Sequence, residues 1–389
     1  MRVLHMLPTF DTGGLGSLGL ELIRAWPRSD SHSVIASRFP TTKPDLRETF
    51  TRLVGDRVRE VPRTLYHPMS FVDAMRDTAT GLGPFDGAVI YNFFDHVWYT
   101  MGLRRAGFRG PVVCHVGTVL PLNEMIQKML GSPFTAGVLF QPASRAVSDS
   151  VIAAGIDSSR MLPVVWNGVD LDVFPAKPVP APEPIATGLG PDLTPVTFGF
   201  VGRMSPEAKD FEGLLEAYSK LDGIARERAR LVLAGDGPHR RKYEALALHM
   251  GLIVTTDRDR LPPRGVAFLG SLERGSISTF LHSLDVFVMA ALPIEGMSLA
   301  LVEAIVSGLP IIATDVPANR EVLDGCGAGT LTHGVEGLAN ALTWLTENAE
   351  ARRRLAQASH AARDQFDVRR VAEAYRDVLQ DDAPSHPAL

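Results

Sequence analysis

Residues 283–321 read SLDVFVMAALPIEGMSLALVEAIVSGLPIIATDVPANRE, a pattern that few architectures can hold. The apolar, β-forming run 285–291 reads as a buried strand. A turn follows at Leu292-Pro293-Ile294, and Glu295-Gly296 then opens a helix carried by Leu299, Val302 and Ile305. Gly308 supplies the C-cap, and Leu309-Pro310 leads into a second apolar strand at 311–314. Strand, helix and strand at this spacing make a βαβ crossover. Its chemistry belongs at the first strand-to-helix turn, where the N–H groups of Gly296, Met297 and Ser298, read as the first helical turn, suit an anion such as a diphosphate. Two carboxylates flank that turn, Glu295 before the helix and Glu303 two turns along it. Taken alone, an acidic residue at a helix start can be a mere cap worth about 1 kcal/mol.

At 389 residues the chain suits two domains of ordinary size. With 45% hydrophobic and 21% charged residues it has a soluble, globular composition, and its net charge of −5 argues against nucleic acid as a partner. Cys114 and Cys326 show neither zinc-ligand spacing nor a disulfide framework, which suits a reducing cytoplasm. The apolar part of MRVLHMLPTF is too short for a signal peptide, and no apolar run approaches ~18 residues, so no spanning helix is expected. Peripheral membrane contact stays open.

In the N-terminal half, strands are expected at 3–7, 32–36, 58–61, 86–91 and 111–115, and helices at 17–25, 69–82 and 97–106. The loop 8–16 carries Thr12-Gly13-Gly14-Leu15-Gly16. Such a turn lets backbone approach a phosphate, yet it is not a clean G-x-G-x-x-G, and a plain tight turn reads equally well from spacing. The strand 86–91 runs into Asn92-Phe93-Phe94-Asp95-His96, and 111–115 ends at His115, at the carboxyl edge where open sheets present ligand groups. A lone His there is more often a hydrogen-bonded structural residue. Residues 119–141 mix Met, Leu and Phe with few charges and read as a core helix pair, an acceptor-facing or membrane-touching segment being the alternative.

A Pro-rich run at 175–184 lacks any core-forming pattern and reads as a stiff connector. Beyond it, strands are expected at 197–201, 229–234 and 266–269, ending in Gly202-Arg203, Gly235-Asp236-Gly237 and Gly270-Ser271. Lys209 precedes a helix built on Phe211, Leu214, Leu215 and Tyr218. Cations at the carboxyl end of a parallel strand can neutralise a departing diphosphate, a task that a metal fills elsewhere. A loop at 325–329 and helices at 337–348, 351–362 and 366–379 complete the reading.

The pair Glu295 and Glu303, set in D-V-F-V…E-G-x-S-L-x-x-x-E-A-x-x-x-G-x-P-x-x-A-T-D, resembles the nucleotide-sugar signature of the retaining GT-B glycosyltransferases of family 4, glycosyltransferase group 1. The resemblance covers nearly the whole chain and is sharpest over 197–321. It implies an α/β fold of GT-B type: two Rossmann-like domains with parallel sheets facing across a cleft. The domains implied are an acceptor-binding one at 1–174, a linker at 175–195, a nucleotide-sugar-binding one at 196–365, a helix at 366–380 that crosses back, and a tail at 381–389. Four residues receive catalytic roles: Arg203 and Lys209 neutralise the leaving diphosphate, Glu295 contacts donor-sugar hydroxyls, and His115 touches the donor sugar near its 6-position. Glu303 receives the ribose hydroxyls. Gly13, Gly14, Gly202, Gly235, Gly270, Gly296, Met297, Ser298 and Leu299 complete the donor set, the turn at Gly270 reading the base through backbone groups. Two positions depart from the family pattern: Asp210 stands where a Gly commonly follows the Lys, and Ala291 where many relatives have Ser.

Acceptor contacts fall to Asp11, Asp95, His96 and Arg145; together with Glu124 and Asp149, Asp11 and Asp95 would suit a cationic amino-sugar. The expected reaction is retaining transfer of a hexose or N-acetylhexosamine, from UDP-glucose or UDP-N-acetylglucosamine, to a hydroxyl of a small-molecule, natural-product or glycan acceptor. No metal and no further cofactor are expected, and the setting is cytoplasmic. GDP-mannose is the rival donor. An inverting enzyme, a phosphorylase and a non-catalytic nucleotide-sugar-binding module are the other readings, whereas a dehydrogenase lacks the third Gly and the acidic residue about twenty residues on.

Overall fold

Apolar runs that do not alternate form strands buried on both faces, as a parallel sheet covered by helices on each side requires. The computed structural model describes residues 1–10, 13–38, 46–62, 68–179, 195–258 and 260–380, and it contains two such sheets. The chain divides into two compact units, one of Met1–Asp170 plus the segment from Asp367 onward, the other of Leu171–Phe366.

In the first unit the strands are β1 (Arg2–Leu7), β2 (Ser31–Arg38), β3 (Val58–Pro62), β4 (Gly87–Ile90), β5 (Val112–Val116) and β6 (Val138–Pro142). They pair in parallel in the order β3-β2-β1-β4-β5-β6. Period-two geometry sends Leu4 and Met6 of β1 into one apolar layer, and Val3 and Leu7 into the other. The second layer is completed from the far end of the sequence, where Val368, Val371, Tyr375 and Leu379 project from the helix Val368–Gln380. Gly87 makes room for that helix, since a Cβ there would stand 2.8 Å from a Leu379 methyl.

The second unit holds β7 (Val196–Val201), β8 (Ala229–Ala234), β9 (Val254–Thr255), β10 (Gly265–Gly270), β11 (Val286–Met289), β12 (Ile311–Thr314) and β13 (Gly329–Thr332), ordered β13-β12-β11-β7-β8-β10-β9. Phe200 anchors its core, with ring centroids 4.7 Å from Phe211 and 6.3 Å from Phe287. Each such buried aromatic contributes roughly 2–3 kcal/mol of hydrophobic stabilisation.

Sheet order locates the sites. In an open parallel sheet, ligands bind beyond the carboxyl ends of the strands at the point where strand order reverses. That point lies between β1 and β4 in the first unit and between β7 and β11 in the second.

Several expectations need correction. Residues 119–141 are not a helix pair: they hold one short helix, Glu124–Leu130, a 3-10 turn, Pro133–Thr135, and then strand β6. Pro142 is tolerated because β6 is an edge strand. Leu122, Met125 and Phe134 are exposed rather than core. The loop expected at 325–329 is shorter than that: the helix Pro317–Cys326 runs into it, and edge strand β13 starts at Gly329. The first domain stops at Asp170, before 174, because Phe174 is fully buried in the second unit under the Arg274 guanidinium. The start of the Pro-rich run is not a free connector either. Lys177 donates its N–H to Ser307 O (2.8 Å) and its Nζ to Leu284 O (2.8 Å), while His360 Nε2 contacts Lys177 O at 2.6 Å. Residues 180–194 and the tail 381–389 lie outside the described residues.

Candidate active site

At the carboxyl edge of the second sheet three glycine turns lie side by side, after β7, β8 and β10. Gly202 N donates to Ala234 O (3.0 Å), Gly235 N to Gly270 O (2.8 Å) and Met204 N to Asp236 O (3.0 Å). Gly235 and Gly270 take φ of 136° and 71°, the left-handed side that disfavours a side chain. The packing is tighter still than the dihedrals require: a Cβ on Gly235 would lie 1.9 Å from the Gly202 carbonyl oxygen. The three turns therefore form a continuous wall of main chain, with Arg203 exposed beside it.

Across the reversal point, the loop after β11 is stitched to the loop that carries Lys209. Asp210 N donates to Ala290 O (3.0 Å) and Leu292 N to Ala208 O (2.9 Å), and Lys209 and Ala291 form an antiparallel bridge. Thr314, at the end of β12, pins the same loop by accepting from Ala291 N at 2.8 Å. Stitching sets Lys209 Nζ 2.6 Å from Glu295 Oε2 and 3.0 Å from Ser298 Oγ, in surroundings that leave the two ionic side chains only 14% and 11% exposed. Asp210, which departs from the family pattern, caps the helix Phe211–Ser219 by accepting from Gly213 N at 2.9 Å. That cap, rather than a glycine, ends the Lys209 loop.

The helix after this loop begins later than its sequence implies. It spans Leu299–Val306 with Ser298 as N-cap, so Gly296, Met297 and Ser298 belong to the turn and not to the first helical turn. Pro293 and the bridge to Lys209 hold the segment out of helical geometry. The free first-turn amides are instead those of Leu299, Ala300 and Leu301. Glu303 lies within the helix, 4% exposed, and pairs with Arg274. Arg274 stacks on Phe174, its guanidinium carbon 4.8 Å from the ring centroid. Arg274 has only a faint signal in the sequence: a cation four residues after Gly270, in a loop that follows a strand as the loop of Arg203 and Lys209 follows β7.

In the first unit, Gly13 caps the helix Gly14–Ala25 with φ −73°, a conformation open to any residue, and nothing stands within 4 Å of a Cβ placed on Gly13 or Gly14. Neither backbone nor packing requires glycine at these two positions. Asp11 lies outside the described residues. His115 is buried at the end of β5; its Nδ1 is 2.9 Å from the Tyr375 hydroxyl, and its Nε2 has no hydrogen-bond partner. Burial pushes the His115 ring down to a pKa of about 4, so it is neutral near pH 7.

The acceptor candidates separate. His96 is fully buried between Phe93 and Phe140, centroids 4.8 and 5.4 Å away, and its Nδ1 contacts Phe93 O. Asp95 is 3% exposed and accepts from Asn92 Nδ2 at 2.6 Å. These contacts of both side chains run back into the 3-10 turn Phe93–Asp95, and Asp95 places no side-chain cap on the helix His96–Arg105. Arg145, at the start of the helix Arg145–Ala153, is exposed. Among the described residues no cluster of His, Cys, Asp and Glu is arranged to hold a metal ion. No helix among them is long and apolar enough to cross a membrane.

Comparison with known proteins gives a consistent picture. The family described as "Glycosyl transferases group 1" matches residues 195–348, which contain the glycine wall, Lys209, Glu295 and Glu303. "Putative glycosyltransferase EpsF" of Bacillus subtilis is 30% identical over 337 residues, 81% of this chain and 79% of that protein. A GDP-mannose-dependent alpha-mannosyltransferase of Mycolicibacterium smegmatis is 30% identical over 219 residues, 56% of this chain and 51% of that protein. Among solved structures, Anabaena Alr3699/HepE in complex with UDP and glucose superposes with a TM-score of 0.76 at 17% identity, covering 98% of this chain and all of that one. WaaG, a glycosyltransferase involved in lipopolysaccharide biosynthesis, gives a TM-score of 0.68 at 16% identity, with 98% and 100% covered.

Proposed function

Because this chain belongs to the group 1 glycosyltransferases and has their GT-B fold, we propose that it transfers a hexose or N-acetylhexosamine, with retention, from a nucleotide diphosphate sugar to an acceptor hydroxyl. The observation that carries the reading is the Lys209–Glu295 pair, held at the reversal point of the second sheet beside the glycine wall. A cation, a carboxylate with an oxygen left to accept sugar hydroxyls, and a wall of main-chain groups are what a sugar diphosphate needs.

In this proposal Lys209 and Arg203 stabilise charge on the departing diphosphate, so no metal ion is required for it. The bond from the anomeric carbon to the phosphate oxygen breaks while a bond from that carbon to the acceptor oxygen forms on the same face. The acceptor's proton passes to the departing phosphate oxygen. Glu303, oriented by Arg274, accepts the ribose hydroxyls, and His115 offers Nε2 to a hydroxyl of the donor sugar. UDP-glucose or UDP-N-acetylglucosamine is the favoured donor, supported by the UDP and glucose bound to the HepE relative. GDP-mannose is the second reading, favoured by the name of the mycobacterial relative. The acceptor is a small molecule, natural product or glycan, and the setting cytoplasmic.

The test is a panel of UDP-, GDP- and ADP-sugars scored for release of free nucleotide, with and without EDTA, beside Glu295→Ala. Release from one donor, insensitive to EDTA and lost in the variant, supports the reading, and NMR of the anomeric product checks retention. No release and no thermal shift with any donor would sink it and favour the binding-module reading.

A further inference from the structure

Resting on that reading of His115, we infer that Tyr375 is a positioning residue for it: the phenol fixes the His115 ring so that Nε2 presents a proton to an oxygen of the donor sugar. His115 and Tyr375 are 260 positions apart in the chain, and both are buried. Their 2.9 Å contact joins the end of β5 to the C-terminal helix.

Hydrogen-bond accounting gives the direction of the proton. The Tyr375 hydroxyl has one proton to place, and among the described residues its only hydrogen-bond partner is His115 Nδ1. Were Nδ1 protonated, both the phenol proton and the Nε2 lone pair would be buried without partners, whereas with Tyr375 donating only the Nε2 hydrogen is, so the first arrangement is the costlier. Tyr375 therefore donates, Nδ1 accepts, and the neutral ring carries its hydrogen on Nε2. That second nitrogen is buried and unpartnered. Glycine leaves room beside it, because a Cβ on Gly117 would stand 3.1 Å from Nε2 and 3.9 Å from Leu15 of the first helix. A buried donor left unpaired beside a missing side chain marks a place for a ligand oxygen.

The C-terminal helix is held firmly enough to do this. Val368 N donates to Val169 O (3.1 Å), Arg376 pairs with Asp30 at 3.0 Å, and Leu379 fills the space that Gly87 leaves.

The experiment compares the full-length protein with Tyr375→Phe, His115→Ala, the double variant and Leu379→Ala. Ring 15N–1H correlation spectra of histidine-labelled protein should show His115 protonated on Nε2, and in Tyr375→Phe a mixture of tautomers. With the donor that the panel identifies, Tyr375→Phe should raise KM about five- to tenfold with little change in kcat. It should leave the Kd of the bare nucleoside diphosphate unchanged and have no further effect in the His115→Ala background. Leu379→Ala, which loosens the same helix, should lower Tm without moving the tautomer or KM. A wild-type ring protonated on Nδ1, an unchanged tautomer in Tyr375→Phe, or a KM effect shared by Leu379→Ala would overturn the inference. If no nucleotide sugar is turned over, the functional reading fails, and the spectra alone still decide whether Tyr375 sets the ring.

Discussion

Replacing Gly235 by alanine puts the glycine wall to the sharpest test. The new Cβ would stand 1.9 Å from the Gly202 carbonyl oxygen and 2.9 Å from its carbon, about 1 Å inside the closest approach that real Cβ atoms make. Both atoms are main chain, so no side-chain rotation relieves the contact and the turns must part. Alanine at φ 136° adds backbone strain of roughly 1–3 kcal/mol. Parting the turns weakens the bonds from Gly202 N to Ala234 O and from Gly235 N to Gly270 O, each worth about 1 kcal/mol. The sum is roughly 3–5 kcal/mol, which for a unit of this size lowers Tm by on the order of 10 °C. Calorimetry measures the loss, and a thermal-shift titration with nucleoside diphosphate should show binding weakened beyond what lower stability explains. Gly13→Ala is the matched control: with nothing within 4 Å and an ordinary φ, it should leave Tm alone and affect only donor binding. A Gly235→Ala protein melting within about 2 °C of wild type, well short of the 2–4 °C expected for each kcal/mol, would refute the reasoning.

Two further outcomes follow from buried charge. Arg274→Ala removes a charged partner from the buried Glu303 carboxylate and should cost about 1.5–3 kcal/mol in urea unfolding, with weaker nucleotide binding; Arg274→Lys should fall between, lacking the planar fork. If Arg274→Ala unfolds at the wild-type urea midpoint, the pair contributes nothing. Acid should strike the first unit. Burial lowers His32, His96 and His115 from 6.5 to about 4 and His5 well below 6.5, so between those values the unfolded chain binds more protons than the folded one. Their stabilisation is whole above pH 6.5 and is lost as pH falls towards 4, by roughly 3 kcal/mol for each of His32, His96 and His115. Limited proteolysis across that range should open the first unit before the second, and equal opening of both would count against this account.

How much of this was legible beforehand depended on whether the signal was local. β1, β4, β7, β8, β11 and β12 are continuous apolar runs, and the sequence displays them directly. β6, β9 and β13 escaped for separate reasons at the sheet edges: β6 ends in Gln141-Pro142, β9 has two residues, and β13 carries half-buried Gly329, Thr330 and Leu331. Lys209, Glu295 and Glu303 could be picked only through the family pattern in which they are set, and the structure brings Lys209 and Glu295 together across 86 positions. Arg274 and Tyr375 could not, since what marks them is a partner brought near only by the fold. Asp95 and His96 show what a strand-end pattern leaves out: both are buried, at 3% and 0% exposure, and burial depends on neighbours that spacing does not reveal.

The C-terminal helix also sets an order of assembly. Leu171–Phe366 is an unbroken length of chain and can complete its core as soon as its last residue has been synthesised. The unit begun first must wait, because Val371, Tyr375 and Leu379 reach its apolar layer only after the whole of the second unit has been made. During that interval part of one side of the first sheet stands uncovered, a state that favours aggregation and recruits chaperones. A chain terminated just after Phe366 would therefore carry a second unit with its core complete, joined to a first unit whose apolar layer lacks Val371, Tyr375 and Leu379.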